Sequence, residues 1–481
     1  MTDALWSWDE LLKVVPFAVA DGTTSRAITG FSIDTRSLQR GDVFVALKDQ
    51  RDGHEFVTNA FKAGAAAAIV NAEYQRRPGD GALIRGADPL KALEAIGMAA
   101  RLRLAREARV IAVTGSAGKT TTKEMLRACL SIVAPGKVHA SEKSYNNHWG
   151  VPLTLARMPA DTQYAVFEIG MNHAGEITPL SKMVRPHVAI VTTVESVHLE
   201  NFPNVDAIAD AKGEIFSGLE PDGVAVIKRD SQYANRLGSH AHLAKARCVL
   251  FSLNPGNDGS AQCATFDELG SRLEMVLAGK RPVSVRVAMP GRHNAENATA
   301  VVAALNAIGA DVEKAISALA TLAPPAGRGL RTRLSVPGGE VLLIDESYNA
   351  NPASMRAALE TLSSVARDKF PRRIVVLGDM LELGRDASIL HKELKEAVTG
   401  SGADLFFACG PHMKGRYDAL PLALKGDYAE AASGLQTPLI TALRAGDVVM
   451  LKASNGTKLG PLVEAVKKHF SGASRSHEIG Q

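Results

Sequence analysis

The chain has 481 residues, 46% hydrophobic and 22% charged, with a formal net charge of +4. That length is too great for one ordinary core and suggests about three domains. So small a net charge, carried on Lys and Arg scattered among acids, gives no reason to expect nucleic acid or a membrane surface as a partner.

The N-terminus, MTDALWSWDE, is acidic and amphipathic, so it does not read as a signal peptide. No apolar run is long enough to span a bilayer. The four cysteines, Cys129, Cys248, Cys263 and Cys409, form no CxxC pair, and their spacing suits neither a zinc site nor a disulfide framework. Reduced thiols in a cytoplasmic, monomeric protein are expected.

In chain order, the first hundred or so residues predict a small α/β unit. The β-rich pieces VFVAL (43–47) and AAIV (67–70) alternate with helical patterns, and a helix over 89–106 leads out. From Arg109, short buried-type strands alternate with helices: VIAVTG, YAVFEIG, VAIVTTV and GVAVIK. Continuous apolar runs of this kind fit a parallel sheet covered on both faces. An Ala-rich helix over about 294–308 closes the region, and the Pro and Gly of LAPPAGRGL predict a linker near 323–329. A third alternating run follows, VLLIDES, RIVVLGD, DLFFACG and DVVMLKAS, and the polar tail SGASRSHEIGQ is expected to fray. The expected fold is α/β in three domains. These are a small N-terminal α/β domain (1–106), a central phosphate-loop, parallel-sheet, ATPase-like domain (107–325) and a C-terminal Rossmann-like α/β domain (326–481).

Polar residues cluster just after the apolar strands: Gly115, Glu168, Thr192, Asp345, Asp379 and Lys452. Open parallel sheets bind ligands outside the carboxyl ends of their strands. Two such sheets with polar edges facing each other would enclose a cleft.

The run Thr114-Gly115-Ser116-Ala117-Gly118-Lys119-Thr120 follows a strand and opens a helix. Backbone N–H groups of such a loop are expected to point at phosphate oxygens, and a helix N-terminus favours negative charge. Lys119 would contact the terminal phosphates and the Thr120 hydroxyl would reach Mg²⁺. Val113 stands where GxxxxGK[ST] has its first Gly, so the motif is a shortened form. Glu168, at the end of the next strand, is a candidate magnesium ligand, because Mg²⁺ prefers carboxylate, phosphate and water oxygens. His198, in SVHLE, reads plainly as a surface or capping residue. Lys212, in DAKGEIF, reads plainly as a solvated helix lysine, which binds no cation unless it is neutral and takes up CO₂ as a carbamate.

Taken together, VTGSAGKTTTKEM, SYNNHWGVPLTL, FEIGMNHAGEI, HLENF, AKGEIF, GRHNAENATA, AGRG, DESYNANPASM, LGDMLELG and LKASNGTK resemble, in order and spacing, the Mur ligases. These are ATP-dependent enzymes that build the peptide stem of peptidoglycan. The resemblance covers nearly the whole chain and implies three domains: one for the UDP end of the substrate, one for ATP, and one that closes over the nucleotide and receives the amine. Within the family, DESYNANPASM followed by LGDMLELG points to the branch that adds D-alanyl-D-alanine to UDP-N-acetylmuramoyl-tripeptide. So does the N-terminal set Asp34-Thr35-Arg36 … Asp52-Gly53-His54. The sibling that adds the third residue would carry an Asp-Asn-Pro-Arg-type motif, which is missing here.

The resemblance further implies Thr120 and Glu168 as magnesium ligands, and His198 with a carbamylated Lys212 as the pair for a second Mg²⁺, reversing the plain readings of both. It implies Asn294 and Asn297 as adenine contacts, although Asn294 could equally cap its helix. Arg328 would reach the γ-phosphate, Asp345 would contact the ribose or orient the closing domain, and Lys452 would lie near the acyl phosphate. The N-terminal set and Asn146 and Asn147 would contact the UDP-linked substrate. Asn349, Asn351 and the Asp379 loop are candidates for the acceptor dipeptide. Two departures stand out: Ala117 where relatives often carry Asn or Ser, and Lys228 where Asn is common, leaving Asp230 as the retained acid. A sibling amide ligase that adds a single amino acid stays open as an alternative. A phosphate-loop ATPase driving a switch is a rival of another class, while a pure UDP-sugar binding protein would have no use for Lys119 or Glu168.

Overall fold

Three α/β units and one small antiparallel sheet follow one another along the chain. The computed structural model describes residues 4–86, 88–256, 259–277 and 281–476. In the first unit the strand order is Val19–Asp21, Leu83–Gly86, Ala67–Asn71, Asp42–Val45, Gly30–Ser32. Only the first of these strands is antiparallel to its neighbour. The helix expected over 89–106 runs Pro89–Leu102, started by the Asp88 carboxylate, which accepts the Leu90 N–H at 2.8 Å. It stops early because Arg103 turns back to the N-terminal segment, with its guanidinium 3.5 Å from the Trp6 ring and donating to the Leu5 carbonyl at 3.0 Å.

The second unit is a six-stranded parallel sheet: Val138–Ala140, Tyr164–Glu168, Arg109–Thr114, Val188–Val191, Val224–Lys228, Arg247–Phe251. The apolar runs VIAVT, AVFE and VAIV are buried on both faces, as a parallel sheet covered by helices requires. The Ala-rich helix runs Arg292–Ala307 and packs on the helix Lys119–Val133. The antiparallel sheet Ala261–Asp267, Gly270–Met275, Val283–Val287 went unforeseen, although Gly270–Met275 and Val283–Val287 show the alternating burial of a half-covered strand. Its hairpin tip reaches the third unit: Glu268 pairs with Lys369 at 2.5 Å, and its carbonyl accepts from Arg331 at 2.8 Å.

The third unit orders its strands Leu330–Val336, Gly339–Glu346, Asp447–Lys452, Arg372–Gly378, Leu405–Cys409, Lys425–Ala429, with the first antiparallel. The final helix, Leu459–Ser476, extends into the tail expected to fray, because Leu459, Leu462, Val463, Val466 and Phe470 bury one stripe against the sheet. Residues 477–481 of that tail lie outside the described residues.

Candidate functional site

A cavity of about 620 Å³ opens between the second and third units. That size lies within the range of small-molecule sites. The carboxyl ends of two sheets meet there, since Glu168 and Thr192 line it from one side and Glu346 and Lys452 from the other. Asp345 and Asp379, also at strand ends, do not reach it.

Gly115 and Gly118 have φ values of 149° and 83°, so the phosphate loop turns through conformations that favour glycine. A Cβ on Gly118 would lie 2.6 Å from the Asn297 amide oxygen. The loop is thus seated directly against the Ala-rich helix. Two loop N–H groups expected to face phosphate are engaged within the protein. Ser116 N–H donates to the Thr193 carbonyl at 2.9 Å, and Ala117 N–H to the Thr193 hydroxyl at 3.1 Å. Lys119 donates to the Gly115 carbonyl at 2.7 Å. Burial pushes its ammonium below the usual lysine range, while Glu168 opposes the fall and Arg328 adds to it.

Glu168 is buried at 1% exposure. Its oxygens accept from neutral groups, the Thr120 hydroxyl at 2.8 Å and the Asn146 amide at 2.7 Å, and it enters no ion pair among the described residues. A buried carboxylate without a cation is costly, so Thr120 and Glu168 together form a fitting place for Mg²⁺ beside the phosphate loop.

Lys212 is buried at 3% exposure, against the plain reading of a solvated helix lysine. It has no ion pair among the described residues. Desolvation first and the Lys119 charge second push its amine well below the usual lysine range, toward the neutral form that carbamylation needs. His198 sits at φ 55° with Nδ1 2.6 Å from the Glu382 carboxylate of the third unit, an ion-pair distance without hydrogen-bond alignment. Neither His198 nor Lys212 lines the cavity.

Arg328, on the linker, lies 4.2 Å from the Tyr348 ring and contacts the Ser144 hydroxyl at 3.4 Å. Asp345 holds that linker in place. One oxygen accepts the Gly327 N–H at 2.9 Å, and the other accepts the Ser347 N–H at 3.1 Å and hydroxyl at 2.6 Å. These bonds favour the orienting role over a ribose contact. Lys452 donates to the Asn349 carbonyl at 3.0 Å and pairs with Glu346 at 3.1 Å.

Several expectations shift. Asn294 is not a cap, since Gly291 holds that position and the Asn294 amide donates to the Pro290 carbonyl at 2.7 Å. Asn294 and Asn297 both line the cavity. Asn351 also lines it, but its side chain caps the helix Pro352–Ser363, accepting the Ser354 N–H at 2.8 Å. Asn349 lines it too, whereas Asn147 points its amide oxygen at the Gly150 N–H, 2.9 Å away. Asp379 accepts the Met413 N–H at 2.7 Å and the His412 N–H at 3.2 Å, which ties its carboxylate to the start of the helix Pro411–Asp418.

In the first unit, Asp34 pairs with the exposed Arg36 at 2.5 Å, and Thr35 is half-buried between them. His54 has both ring nitrogens occupied: Nδ1 lies 2.6 Å from Asp52, and Nε2 accepts the Asn71 N–H at 3.0 Å. Gly53 packs so tightly that a Cβ would fall 2.4 Å from the Leu47 carbonyl oxygen. None of these six residues lines the cavity, nor do the strand residue Thr114 and Gly115.

Sequence reasoning missed Ser144, Glu195, Arg292, His293, Tyr348 and Arg356 on the cavity wall. Lys228, noted only as a departure, is also there and pairs with Glu296 at 2.8 Å. Asp230 instead pins the Ser252–Asn254 turn, accepting from both side chains. Burial raises Glu195 above the ordinary glutamate range. Arg292, His293 and Glu296 carried a signal through their place in RHNAEN, as did Ser144 in SYNNHWGVPLTL and Tyr348 in DESYNANPASM. The others come together solely by tertiary folding.

Two family models match the chain: the Mur ligase middle domain over residues 113–305, and the Mur ligase glutamate ligase domain over 332–455. The UDP-N-acetylmuramoyl-tripeptide–D-alanyl-D-alanine ligase of Escherichia coli (strain K12) is 36% identical over 379 residues, 78% of this chain and 80% of that one. Its counterpart in Bacillus subtilis (strain 168) is 33% identical over 444 residues, 91% of this chain and 93% of that one. A crystal structure of MurF from Acinetobacter baumannii superposes with a TM-score of 0.83 at 29% identity, covering 97% of this chain and 100% of that one.

Proposed function

The chain belongs to the Mur ligase family, and from that premise we infer that it joins D-alanyl-D-alanine to UDP-N-acetylmuramoyl-tripeptide at the expense of ATP. The product is the UDP-muramoyl-pentapeptide precursor of peptidoglycan, with ADP and phosphate released. The observation that carries this reading is the cavity itself. It brings Lys119 and Arg328, with Lys452 from the facing sheet, to the same space as a buried Glu168 that enters no ion pair among the described residues.

Amide formation from a carboxylate and an amine is uphill in water, so the carboxylate is first activated as an acyl phosphate. For that step the substrate carboxylate and the γ-phosphate, both anionic, must meet. Lys119 and Arg328 offset their repulsion and stabilise the transferring phosphoryl group. Thr120 and Glu168 would hold Mg²⁺, which when bound would supply further positive charge to the phosphates. Lys452, nearly buried at the rim of the third unit, faces the acyl group. Asn294 and Asn297 contact the base, and Asp345 acts through the linker to hold Arg328. The neutral-leaning amine of Lys212 supports its carbamylation, which with the His198 ring would provide ligands for a second ion. The amine of D-alanyl-D-alanine then attacks the acyl carbon and phosphate leaves. Closure of the third unit about the linker shields the acyl phosphate from water.

We place the domain borders at 1–106 for the UDP-linked substrate, 107–325 for ATP and 326–481 for acceptor binding and closure, with Asp34, Arg36 and the 52–54 turn on the substrate side. Among the described residues no helix is long and apolar enough to cross a membrane, in keeping with work in the cytoplasm beside the ATP pool. The test is a phosphate-release assay with ATP, UDP-muramoyl-tripeptide and D-alanyl-D-alanine, each omitted in turn. Release that needs all three supports the ligase. Release without the UDP-linked peptide would point to a switch ATPase, and release with a single amino acid in place of the dipeptide to the sibling ligase.

A further inference from the structure

One turn past the phosphate loop, the helix Lys119–Val133 carries a lysine that nothing above assigns. Lys123 is fully buried. Its ammonium leaves the helix toward the loop 141–147, where it donates to the Ser141 carbonyl at 2.7 Å and the Lys143 carbonyl at 2.8 Å. The Glu124 carboxylate forms an ion pair with it, 2.8 Å away. An ammonium has three protons; two of them go to these carbonyls, and the carboxylate supplies the opposite charge. Withdrawing a lysine wholly from water is expensive unless it is so satisfied.

The loop that Lys123 grips meets all three units. Toward the cavity, the Ser141 hydroxyl accepts the Glu168 N–H at 3.1 Å, and Asn146 donates to the Glu168 carboxylate at 2.7 Å. Toward the linker, Ser144 meets Arg328 at 3.4 Å. Toward the first unit, Glu142 pairs with Arg157 at 2.9 Å, and Arg157 donates to the Phe31 carbonyl at 2.8 Å. At its apex Lys143 is exposed and holds φ 48°, a left-handed conformation that an ordinary side chain adopts only when the surroundings impose it.

We propose that Lys123 is a positioning residue. By fixing the 141–147 loop it sets Glu168 and Arg328 in register with each other, and it ties the seating of the UDP-linked substrate to the phosphate site. The inference rests on the ligase reading. It gives the phosphate-loop helix a second task, performed from its buried side, besides offering Lys119 and Thr120 to the nucleotide.

The test uses the full-length enzyme. Lys123→Met keeps length and removes the donors. The expected result is a kcat about 100-fold lower, the scale for a misplacement of about 1 Å at a reacting centre, with the KM for ATP changed far less. The Mg²⁺ concentration for half-maximal rate should rise, and trypsin should cut after Lys143 faster than in the parent, a readout independent of turnover. Should Lys123→Met fail to fold, Lys143→Val decides from the solvent side, since a β-branched residue resists φ 48° and should reproduce the same kinetic split in a folded protein. Lys143→Gly removes the same charge, suits that backbone and should stay close to the parent. The proposal is overturned by a folded Lys123→Met enzyme with parental kcat and parental trypsin resistance. It is equally overturned by equal impairment of Lys143→Val and Lys143→Gly, which would make the charge responsible. Failure of the ligase reading looks different, because the parent enzyme itself would then release no phosphate with all co-substrates present.

Discussion

Replacing Asp345 separates the two roles that the sequence left open for it. Asp345→Ala removes the acceptor for the Gly327 and Ser347 N–H groups, which it meets at 2.9 and 3.1 Å in a site where Asp345 is 4% exposed. A buried donor left unpaired costs about 1–3 kcal/mol, so the two together should cost roughly 2–6 kcal/mol and lower the thermal midpoint. Asp345→Asn keeps one acceptor oxygen and should cost about half as much. The linker then loses its anchor one residue before Arg328. If the guanidinium shifts by about 1 Å, kcat should fall about 100-fold, or about 2.7 kcal/mol. The assay is phosphate release under saturating UDP-muramoyl-tripeptide and D-alanyl-D-alanine, with ATP varied. The expected pattern is a lower kcat with the KM for ATP little changed. Combining Asp345→Ala with Arg328→Ala should add little to Arg328→Ala alone, because the two act in one chain of contacts. A KM for ATP raised tenfold with kcat intact would refute the linker argument and restore the ribose contact. Full additivity in the double variant would refute it as well.

Lys119→Ala should lower kcat by about 10²–10³, or roughly 2–4 kcal/mol of transition-state stabilisation, in the same phosphate-release assay, with Arg328→Ala similar in size. Lys212→Ala should reduce ligation by at least about tenfold, and ¹³C-bicarbonate should give a carbamate NMR signal in the parent that this variant lacks; undiminished ligation would remove the role. Burial drives His139 and His187 down from the usual imidazole value to about 4, with Arg101 and Arg109 adding to the fall at His187. Between about 4 and the ordinary histidine range near 6.5, the unfolded chain therefore binds more protons than the folded one, and stability should drop as pH falls through that window. His139→Gln, which keeps a donor for the Thr154 carbonyl that His139 meets at 2.8 Å, should make the thermal midpoint fall less steeply across it, leaving the share of His187.

Much of this protein is local information. The apolar runs 110–114, 165–168, 188–191 and 224–227 become parallel strands because residues apolar on both faces have nowhere else to go. Gly115, Gly118, Lys119 and Thr120 mark a phosphate loop because the turn, the charge and the helix start are contiguous in sequence. The linker around Pro324, Pro325 and Gly327 is legible for the same reason, since proline and glycine interrupt any periodic pattern.

Tertiary structure alone decided what depends on distant partners. Whether Lys212 is solvated or buried, whether Asp345 touches a ligand or a linker, and whether Asp379 and His54 face a substrate or satisfy their own backbone are not properties of the residue type. An Asp or a His reads alike on paper in either setting. The difference lies in which N–H groups the fold delivers to it, and at Gly327, Met413 and Asn71 those donors come from 18, 34 and 17 residues away. Neither Lys123 nor the loop it holds has a local signature, because full burial of an ammonium becomes tolerable only once the folded chain supplies two carbonyls and a carboxylate around it.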